Sequence, residues 1–468
     1  MKWHSKNLPF YAFVIAFFLL MLAPYLLSHG MFMDGIMYAT ISNNLANGIG
    51  SVFDLKFTDV SLVHFREHPP MAFWIESLFY RLFGDSYLIE KLYSATTYIL
   101  TGLLIRKIWI QLTKDKTLGW LPLLFWVSIP IITQAARNNL LENTLMIFTT
   151  AAVYFLIKNI KQPKTLDLFL AGICIYMGFM SKGFVALFIW SFPFWVFIFY
   201  RTTISSFLKN LSLLLIFTFL PFVIISLLFP ESLVYLKDYF EVQVANSLKN
   251  VATVDSRFWI VGKLLKELIT PGIITAIVLL INYLLKNVKP KNAFNKEALL
   301  FLALGISGVL PIIISLKQSG FYSIPAYVFI SLAFALFLKD EVNFLYLKLK
   351  VNHWGYKLFK SISYLAIAIG IALTVINSNT NSRDKEKLND IAIIETIIGQ
   401  KSYIEGNNEI LKDWTVLAYL YRYYKINIIS VSTPSKQYYL TLKSLDESLP
   451  NYTPIALNLT YFQLYEHK

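Results

Sequence analysis

The sequence predicts an all-α polytopic membrane protein of about 11 transmembrane helices, followed by a small C-terminal α/β soluble domain. Three observations carry that prediction. Of the 468 residues, 56% are hydrophobic and 15% charged, where a soluble chain carries about 45–50% and about 25%; the mean hydropathy is +0.55. Apolar runs recur at the length of about 20 residues that a helix needs to cross a hydrocarbon core about 30 Å thick. From Ser378 the composition turns to Asn, Ser, Lys, Asp and Glu, so the chain divides into a membrane-embedded domain, 1–377, and a soluble one, 378–468.

Candidate spans lie near 9–27, 88–110, 118–134, 143–158, 166–181, 183–200, 210–229, 260–285, 298–315, 322–338 and 360–377. The break at Ser181-Lys182-Gly183 is the place where two of them could merge into one. The segments between spans alternate in character. One set is rich in Lys and Arg: Lys2/Lys6, Lys114/Lys116, Lys158/Lys161/Lys164, Arg201/Lys209, Lys286/Lys289/Lys291/Lys296 and Lys339/Lys348/Lys350/Lys357. The other set, around 28–87, 135–142, 230–258 and 315–321, is poorer in Lys. Basic loops stay in the cytoplasm, so the N-terminus is expected there, and 28–87 and the C-terminal domain on the other side. For a bacterial inner membrane that side is the periplasm. The net charge of +14 is explained by these loops and gives no reason to expect a nucleic-acid partner. The first run follows Lys2 and Lys6 like a signal peptide but lacks a small-x-small cleavage site before Ser28, so it reads as an uncleaved span. The single cysteine, Cys174, lies inside an apolar run and reads as a packing residue.

The first outer loop, 28–87, has structure of its own. Asp34 can N-cap a helix running to about Asn47, with Gly48 as its stop. A second helix begins at Pro69-Pro70, since proline is tolerated in a first turn, and ends at Gly84. Met71, Trp74, Ile75, Leu78 and Leu82 share one face of it, as in an amphipathic helix lying in the interface. In the C-terminal domain, helices near 384–399 and 413–424 and strand-like runs at 426–431, 437–442 and 461–465 suggest an α/β module.

The unusual residues fall in outward-facing segments: Met33-Asp34-Gly35-Ile36-Met37-Tyr38-Ala39, Arg66-Glu67-His68-Pro69-Pro70, Ala136-Arg137 through Glu142-Asn143, Leu316-Lys317 through Tyr322-Ser323-Ile324-Pro325, and the Ser181-Lys182-Gly183 break. On the predicted topology they meet at the outer leaflet. In order and spacing they resemble the motifs of membrane-embedded GT-C glycosyltransferases, in particular the protein O-mannosyltransferases and the aminoarabinose transferase of lipid A. Asp34 with Tyr38-Ala39 is similar to that family's acidic residue and Tyr-Ala after the first span. His68-Pro69-Pro70-Met71 with Trp74 resembles its Lys-Pro-Pro-Leu and Trp helix. Ser181-Lys182-Gly183 resembles its Thr-Lys-Gly, and Tyr322-Ser323-Ile324-Pro325 its Tyr-x-x-Pro. The likeness covers roughly 1–340. The chain departs from it at Gly35, where the family often has a second acid, at His68 in place of Lys, and at Glu142 in place of Asp.

The resemblance implies an inverting glycosyltransferase that takes a sugar from a polyprenyl-phosphate donor and passes it to a hydroxyl of a lipid, glycan or protein. Charge growing on the leaving phosphate calls for fixed cations, here Lys182, Lys317, Arg137, Arg257 and protonated His68, with Tyr322 as a hydroxyl donor. The attacking hydroxyl calls for a carboxylate, Asp34 first and Glu142 second. No Asp-x-Asp is present to hold a metal on a nucleotide diphosphate, and neither metal nor cofactor is expected.

Plainer readings stand beside each of these. Asp34 could be only a helix cap, Lys182 a snorkelling charge, Lys317 and Tyr322 interface anchors, and Glu142 a partner of a helix's positive end. Arg257 beside Phe258-Trp259 could simply mark the end of a span. His64 to His68 spells a His-x-x-Glu-His metalloprotease pattern, but Pro69 disfavours the helical conformation that such a site needs at His68. A lipid or sugar transporter without chemistry is the rival to the enzyme. Transporters place their sites near the midplane, whereas the polar residues here cluster at one face.

The charge pattern carries a direct test. Single cysteines at Asp54 and Asn407, in intact spheroplasts, are expected to react with an impermeant thiol reagent; protection of either would overturn the span count.

Overall fold

The computed structural model describes residues 6–245, 251–285, 295–431, 435–445 and 449–468. Lys2, Lys286, Lys289 and Lys291 lie outside them. The first apolar run forms the helix Leu8–Leu26, and the last forms Trp354–Ile376. These two lie side by side and run in the same direction, since Phe10 meets the Phe359 ring at 5.1 Å and Leu19 closes on Gly370. Both therefore end on the same side of the bundle. There the chain just beyond each is joined by backbone hydrogen bonds, from His29 N to Thr380 O at 2.8 Å and from Ser382 N to His29 O at 3.0 Å. The first loop and the C-terminal sheet domain thus sit on one common side.

Among the described residues, seven helices are long and apolar enough to cross a membrane, or eight if the bent pair Trp259–Glu267 and Ile269–Leu284 is one span. This is fewer than the eleven runs read from the sequence, and the differences have local causes. The run at 118–134 is split into Leu121–Val127 and Pro130–Ala136, because Pro130 holds Ile129 in an extended conformation. Leu88–Thr113 carries Glu90, Lys91, Arg106 and Lys107. The stretch 165–200 is one continuous helical run of 36 residues, apolar enough to span, yet it folds back on itself at Lys182-Gly183. Gly183 takes φ +74°, a conformation open to glycine and costly for other residues. Across this reversal a Cβ on Gly178 would lie 3.3 Å from Ala186, eight residues later. A helix rising 1.5 Å per residue could not bring those positions together. The neighbouring helix Ile204–Leu228 has only 17% of its apolar stretch buried, and Trp354–Ile376 only 11%. Such faces find a solvent in lipid, not in water.

Helix Met33–Ala46 is capped by Phe32 with no side-chain hydrogen bond. Asp34 is therefore not the N-cap expected from the sequence; it stands one residue inside the first turn. Gly48, at φ +76°, follows the helix's end. Every residue from Gly35 to Leu45 is buried, so its polar residues must find partners inside the protein. Ser42 donates to Glu76 Oε2 at 2.8 Å, and Asn44 Nδ2 to Phe57 O at 2.8 Å.

Glu76 belongs to helix Met71–Phe83, which starts after Pro70 and stops at Gly84, φ +88°, as the sequence indicates. This helix buries Ala72, Phe73, Glu76, Ser77 and Tyr80 and exposes Leu78 and Leu82. Burial pushes the Glu76 carboxyl up to about 8 against the opposing hydrogen bonds of Ser42 and Asn139.

The C-terminal region folds as a five-stranded sheet in the order β2-β1-β3-β5-β4. Its strands are β1 Tyr403–Gly406, β2 Asn427–Ile429, β3 Tyr438–Leu442, β4 Tyr452–Pro454 and β5 Phe462–His467. Helices Lys385–Ile398 and Trp414–Tyr424 pack with it. β1 runs parallel to β2 and β3, while β5 is antiparallel to β3 and β4. Asp390 fixes the start of β5 by accepting the backbone N–H groups of Thr460, Tyr461 and Phe462.

Helix Trp414–Tyr424 also fastens this region to the first loop. Arg422 Nη1 lies 2.7 Å from Asp85 and Nη2 3.3 Å from Glu90, whose side chain is 1% exposed. Removing one partner of a buried ion pair costs about 3–5 kcal/mol, because the other charge is left stranded. Arg422→Met is accordingly expected to lower the melting temperature sharply, and adding Glu90→Leu should restore part of the loss. A melt unchanged by Arg422→Met would show that this junction does not hold the two regions together.

Candidate active site

Two antiparallel helices supply the centre of the site. Leu141–Lys161 carries Glu142 in its first turn, and Thr165–Lys182 carries Lys182 in its last. Each charge is placed where the helix dipole favours it. The two meet with Lys182 Nζ 2.7 Å from Glu142 Oε1, at side-chain exposures of 7% and 1%. The reversal at Gly183 makes this possible. A Cβ there would fall 1.9 Å from the Tyr239 hydroxyl, so the close approach of Tyr239 needs glycine at that position.

Lys182 borders a cavity of about 170 Å³ that is also lined by His68, Tyr239, Gln243, Lys317 and Tyr322. Its ammonium lies 5.3 Å from the centre of the Tyr322 ring. Lys317 Nζ donates to Gln243 Oε1 at 3.3 Å, and its backbone N–H to Ser315 Oγ at 2.9 Å. Asp34 faces the same charges. Burial raises its carboxyl above the ordinary range, Lys182 and Lys317 pull it back, and Glu142 pushes the same way as burial. Glu67 is also raised by burial, with Lys317 opposing and Asp34 adding. His68 moves the other way: burial first, then Lys182 and Lys317, hold it well below its usual value. The imidazole is neutral at physiological pH, so it offers one N–H donor and not the cation expected from the sequence. The edge-on ring of Tyr38 lies 5.7 Å from it.

The structure therefore gathers Asp34, His68, Glu142, Lys182, Lys317 and Tyr322, six of the eight candidates. Arg137 and Arg257 are not among the cavity's lining. Arg137 lies over the Tyr25 ring, 4.1 Å from its centre, in a different cavity. Arg257 has an exposed side chain, and its carbonyl accepts Gln318 Nε2 at 2.8 Å. Sequence reasoning passed over Glu67, Tyr239 and Gln243. Glu67 stood beside His68 in a motif already singled out, while Tyr239 and Gln243 sit on a segment, 239–245, that carries no motif. Among the described residues no three His, Cys, Asp or Glu side chains form a group suited to a metal ion.

Comparison with known proteins bears on the same elements. Residues 67–225 match the family model described as dolichyl-phosphate-mannose-protein mannosyltransferase. A Proteus mirabilis protein named undecaprenyl phosphate-alpha-4-amino-4-deoxy-L-arabinose arabinosyl transferase 1 is 28% identical over 158 residues, 33% of this chain and 28% of its own length. A protein of that activity name from Pseudomonas savastanoi pv. phaseolicola is 27% identical over 198 residues, 41% of this chain and 35% of its own length. The matches thus span about a third of these curated relatives. The fold extends the likeness over nearly everything: ArnT from Cupriavidus metallidurans bound to undecaprenyl phosphate superimposes with TM-score 0.68 at 14% identity, covering 97% of each chain.

The architecture is similar to that of the GT-C membrane glycosyltransferases. Within that class the chain resembles the protein O-mannosyltransferase and lipid A aminoarabinose transferase branch, by sequence as well as by architecture.

The Glu142–Lys182 pair can be tested without substrate. Glu142→Gln strands a buried ammonium and is expected to destabilise the protein by about 3–5 kcal/mol. Glu142→Leu combined with Lys182→Met should melt closer to wild type than either single variant does. A double variant as unstable as the sum of the two would mean that the charges do not act as a pair.

Proposed function

We propose that the chain is an inverting glycosyltransferase that moves a sugar from a polyprenyl-phosphate donor to an acceptor hydroxyl on a lipid, glycan or protein. The observation that carries this reading is the placing of one carboxylate, Asp34, beside two lysines, Lys182 and Lys317, that border a single cavity. The relatives' names make an aminoarabinose on undecaprenyl phosphate the first donor to try. The reaction is assigned to the outer face of a bacterial inner membrane, with the N-terminus cytoplasmic and residues 28–87 and 378–468 periplasmic. The basic loops support this, as does the common side on which the first loop and the C-terminal region lie.

In this reading the donor phosphate lies against Lys182 and Lys317, with the Tyr322 hydroxyl and the neutral His68 N–H as further donors. The acceptor hydroxyl attacks the sugar's C1 from the side opposite the phosphate and gives its proton to Asp34. The C1–O bond to phosphate breaks, and its electron pair stays on the leaving polyprenyl phosphate, where the two ammonium groups offset the new charge. Each of these steps asks for charge already fixed in place, which a partly closed site supplies without reorganisation. Glu142, held by Lys182 at 2.7 Å, is not available as the base. We assign it to positioning Lys182. A carboxylate raised above its ordinary range is a stronger base than one in water, and burial sets Asp34 in that state.

Asp34→Asn is expected to lower single-turnover rates with lipid-linked sugar by about 10²–10⁴, while donor binding and the melt stay near wild type. Because Asp34 acts deprotonated, the wild-type rate should fall with acid through a pKa above the ordinary carboxylate value of about 3.9. Lys317→Ala should lower kcat as well as raise the donor KM, since its ammonium meets charge on both the bound donor and the leaving phosphate. Normal turnover of Asp34→Asn, with Glu142→Gln inactive but folded, would move the base to the other carboxylate; normal turnover of both would end the catalytic assignment.

A further inference from the structure

Arg137 is the candidate cation that the donor cavity leaves unused, and its surroundings suggest another task. It lines a cavity of about 130 Å³ together with Tyr25, Gly30, Asn138, Ser382 and Arg383. No residue lines both this cavity and the one beside Lys182. The Arg137 guanidinium stacks on Tyr25 at 4.1 Å. Among the described residues it has no carboxylate within 4 Å and donates no side-chain hydrogen bond. Arg383 touches Asp384 through Nε at 3.4 Å, and its guanidinium lies over the Phe32 ring, 5.4 Å from the centre. Behind them the buried Lys91 ammonium donates to Gly30 O at 3.2 Å and approaches Arg137 O at 3.5 Å. Two arginines thus line this cavity, with Lys91 held against the backbone of two of its lining residues. The nearby acids are Asp384, which accepts the Tyr419 hydroxyl, and Glu90, which is engaged by Arg422.

We propose that Arg137 and Arg383 form a second phosphate-binding site, distinct from the cavity assigned to the donor. Two arginines at one small polar cavity match the tetrahedral oxygens of a phosphate, which a guanidinium can bind through two N–H groups at once. The Tyr25 platform stands at the end of the first apolar helix, where on the proposed topology an aromatic belt would meet lipid headgroups. The ligand is a phosphate group, free or on a lipid headgroup. This inference is independent of the chemistry proposed for Asp34.

The experiment measures binding of dioctanoyl phosphatidic acid to the purified full chain in detergent, with inorganic phosphate as competitor. Arg137→Gln combined with Arg383→Gln is expected to weaken binding at least about tenfold, the loss of one or more charge-assisted hydrogen bonds. Lys317→Ala should leave this binding in place. Competition by inorganic phosphate would identify the phosphate group alone as sufficient. Lipid binding that phosphate does not displace, but that the double variant loses, would identify the headgroup held with its acyl chains. If the double variant fails to fold, Arg137→Lys against Arg137→Gln provides the same reading, with the lysine variant the tighter binder. Equal binding by wild type and double variant, or loss in Lys317→Ala alone, overturns the site.

Discussion

The buried contact between Lys182 and Glu142 is the constraint around which the rest of the site is arranged. An ammonium with 7% exposure cannot remain charged without an opposite charge in reach, and Glu142 meets it at 2.7 Å. To bring them together, two apolar helices must end at the same level, and the second must turn back within one residue. Gly183 supplies that turn and also the space into which the Tyr239 hydroxyl fits. With Lys182 fixed, the electrostatics of its neighbours follow: His68 is held neutral, and Asp34 feels a cation that partly offsets its burial. Burial and this one ammonium thus act together on Asp34 and His68.

Much of this was legible in the sequence, for identifiable reasons. Long apolar runs declare themselves, and the helix Met71–Phe83 is bounded by Pro70 and Gly84, signals with one local meaning each. The motif residues that converge are those whose types are out of place at the end of an apolar run, Lys182 above all. What stayed hidden depended on tertiary contacts. β1 was missed because Glu405 interrupts its apolar pattern, and only the fold reveals that Tyr452 and the Lys436 N–H satisfy that carboxylate. β4 was missed because Pro454 argues against a strand, a conflict resolved by its place at the sheet's edge. Asp34 looked like a cap from spacing alone, a role that Phe32 takes in the fold. The charge of His68 could not be read at all, since it is set by burial and by lysines more than a hundred positions away.

The two helices within the loop 28–87 divide their work along physical lines. Met33–Ala46 is enclosed on all sides and carries Asp34 at its entry, so its position is determined by everything packed round it. Met71–Phe83 keeps one face on the protein and turns leucines outward. A carboxylate that must face fixed cations sits on the rigid partner, and the apolar face that can adapt to a fluid interface sits on the other. On the proposed function, that separation allows the protein to rest against lipid without transmitting the lipid's motion to the reacting groups.

The Tyr419 hydroxyl accepts the Met31 N–H at 2.9 Å and lies 2.9 Å from the Met31 carbonyl oxygen, three residues before Asp34 and 388 positions along the chain. A contact of that range fixes an order of events during synthesis. The first loop leaves the ribosome early, yet the hydrogen bonds that hold its entry into Met33–Ala46 cannot form until helix Trp414–Tyr424 has been made. The cavity-forming residues must therefore wait, unlocked, through the insertion of every intervening helix. Closing so long a loop is slow in the way that high contact order makes any folding step slow. Synthesis of helix Trp414–Tyr424, and not insertion of the membrane helices alone, is then the event that locks the entry to Met33–Ala46.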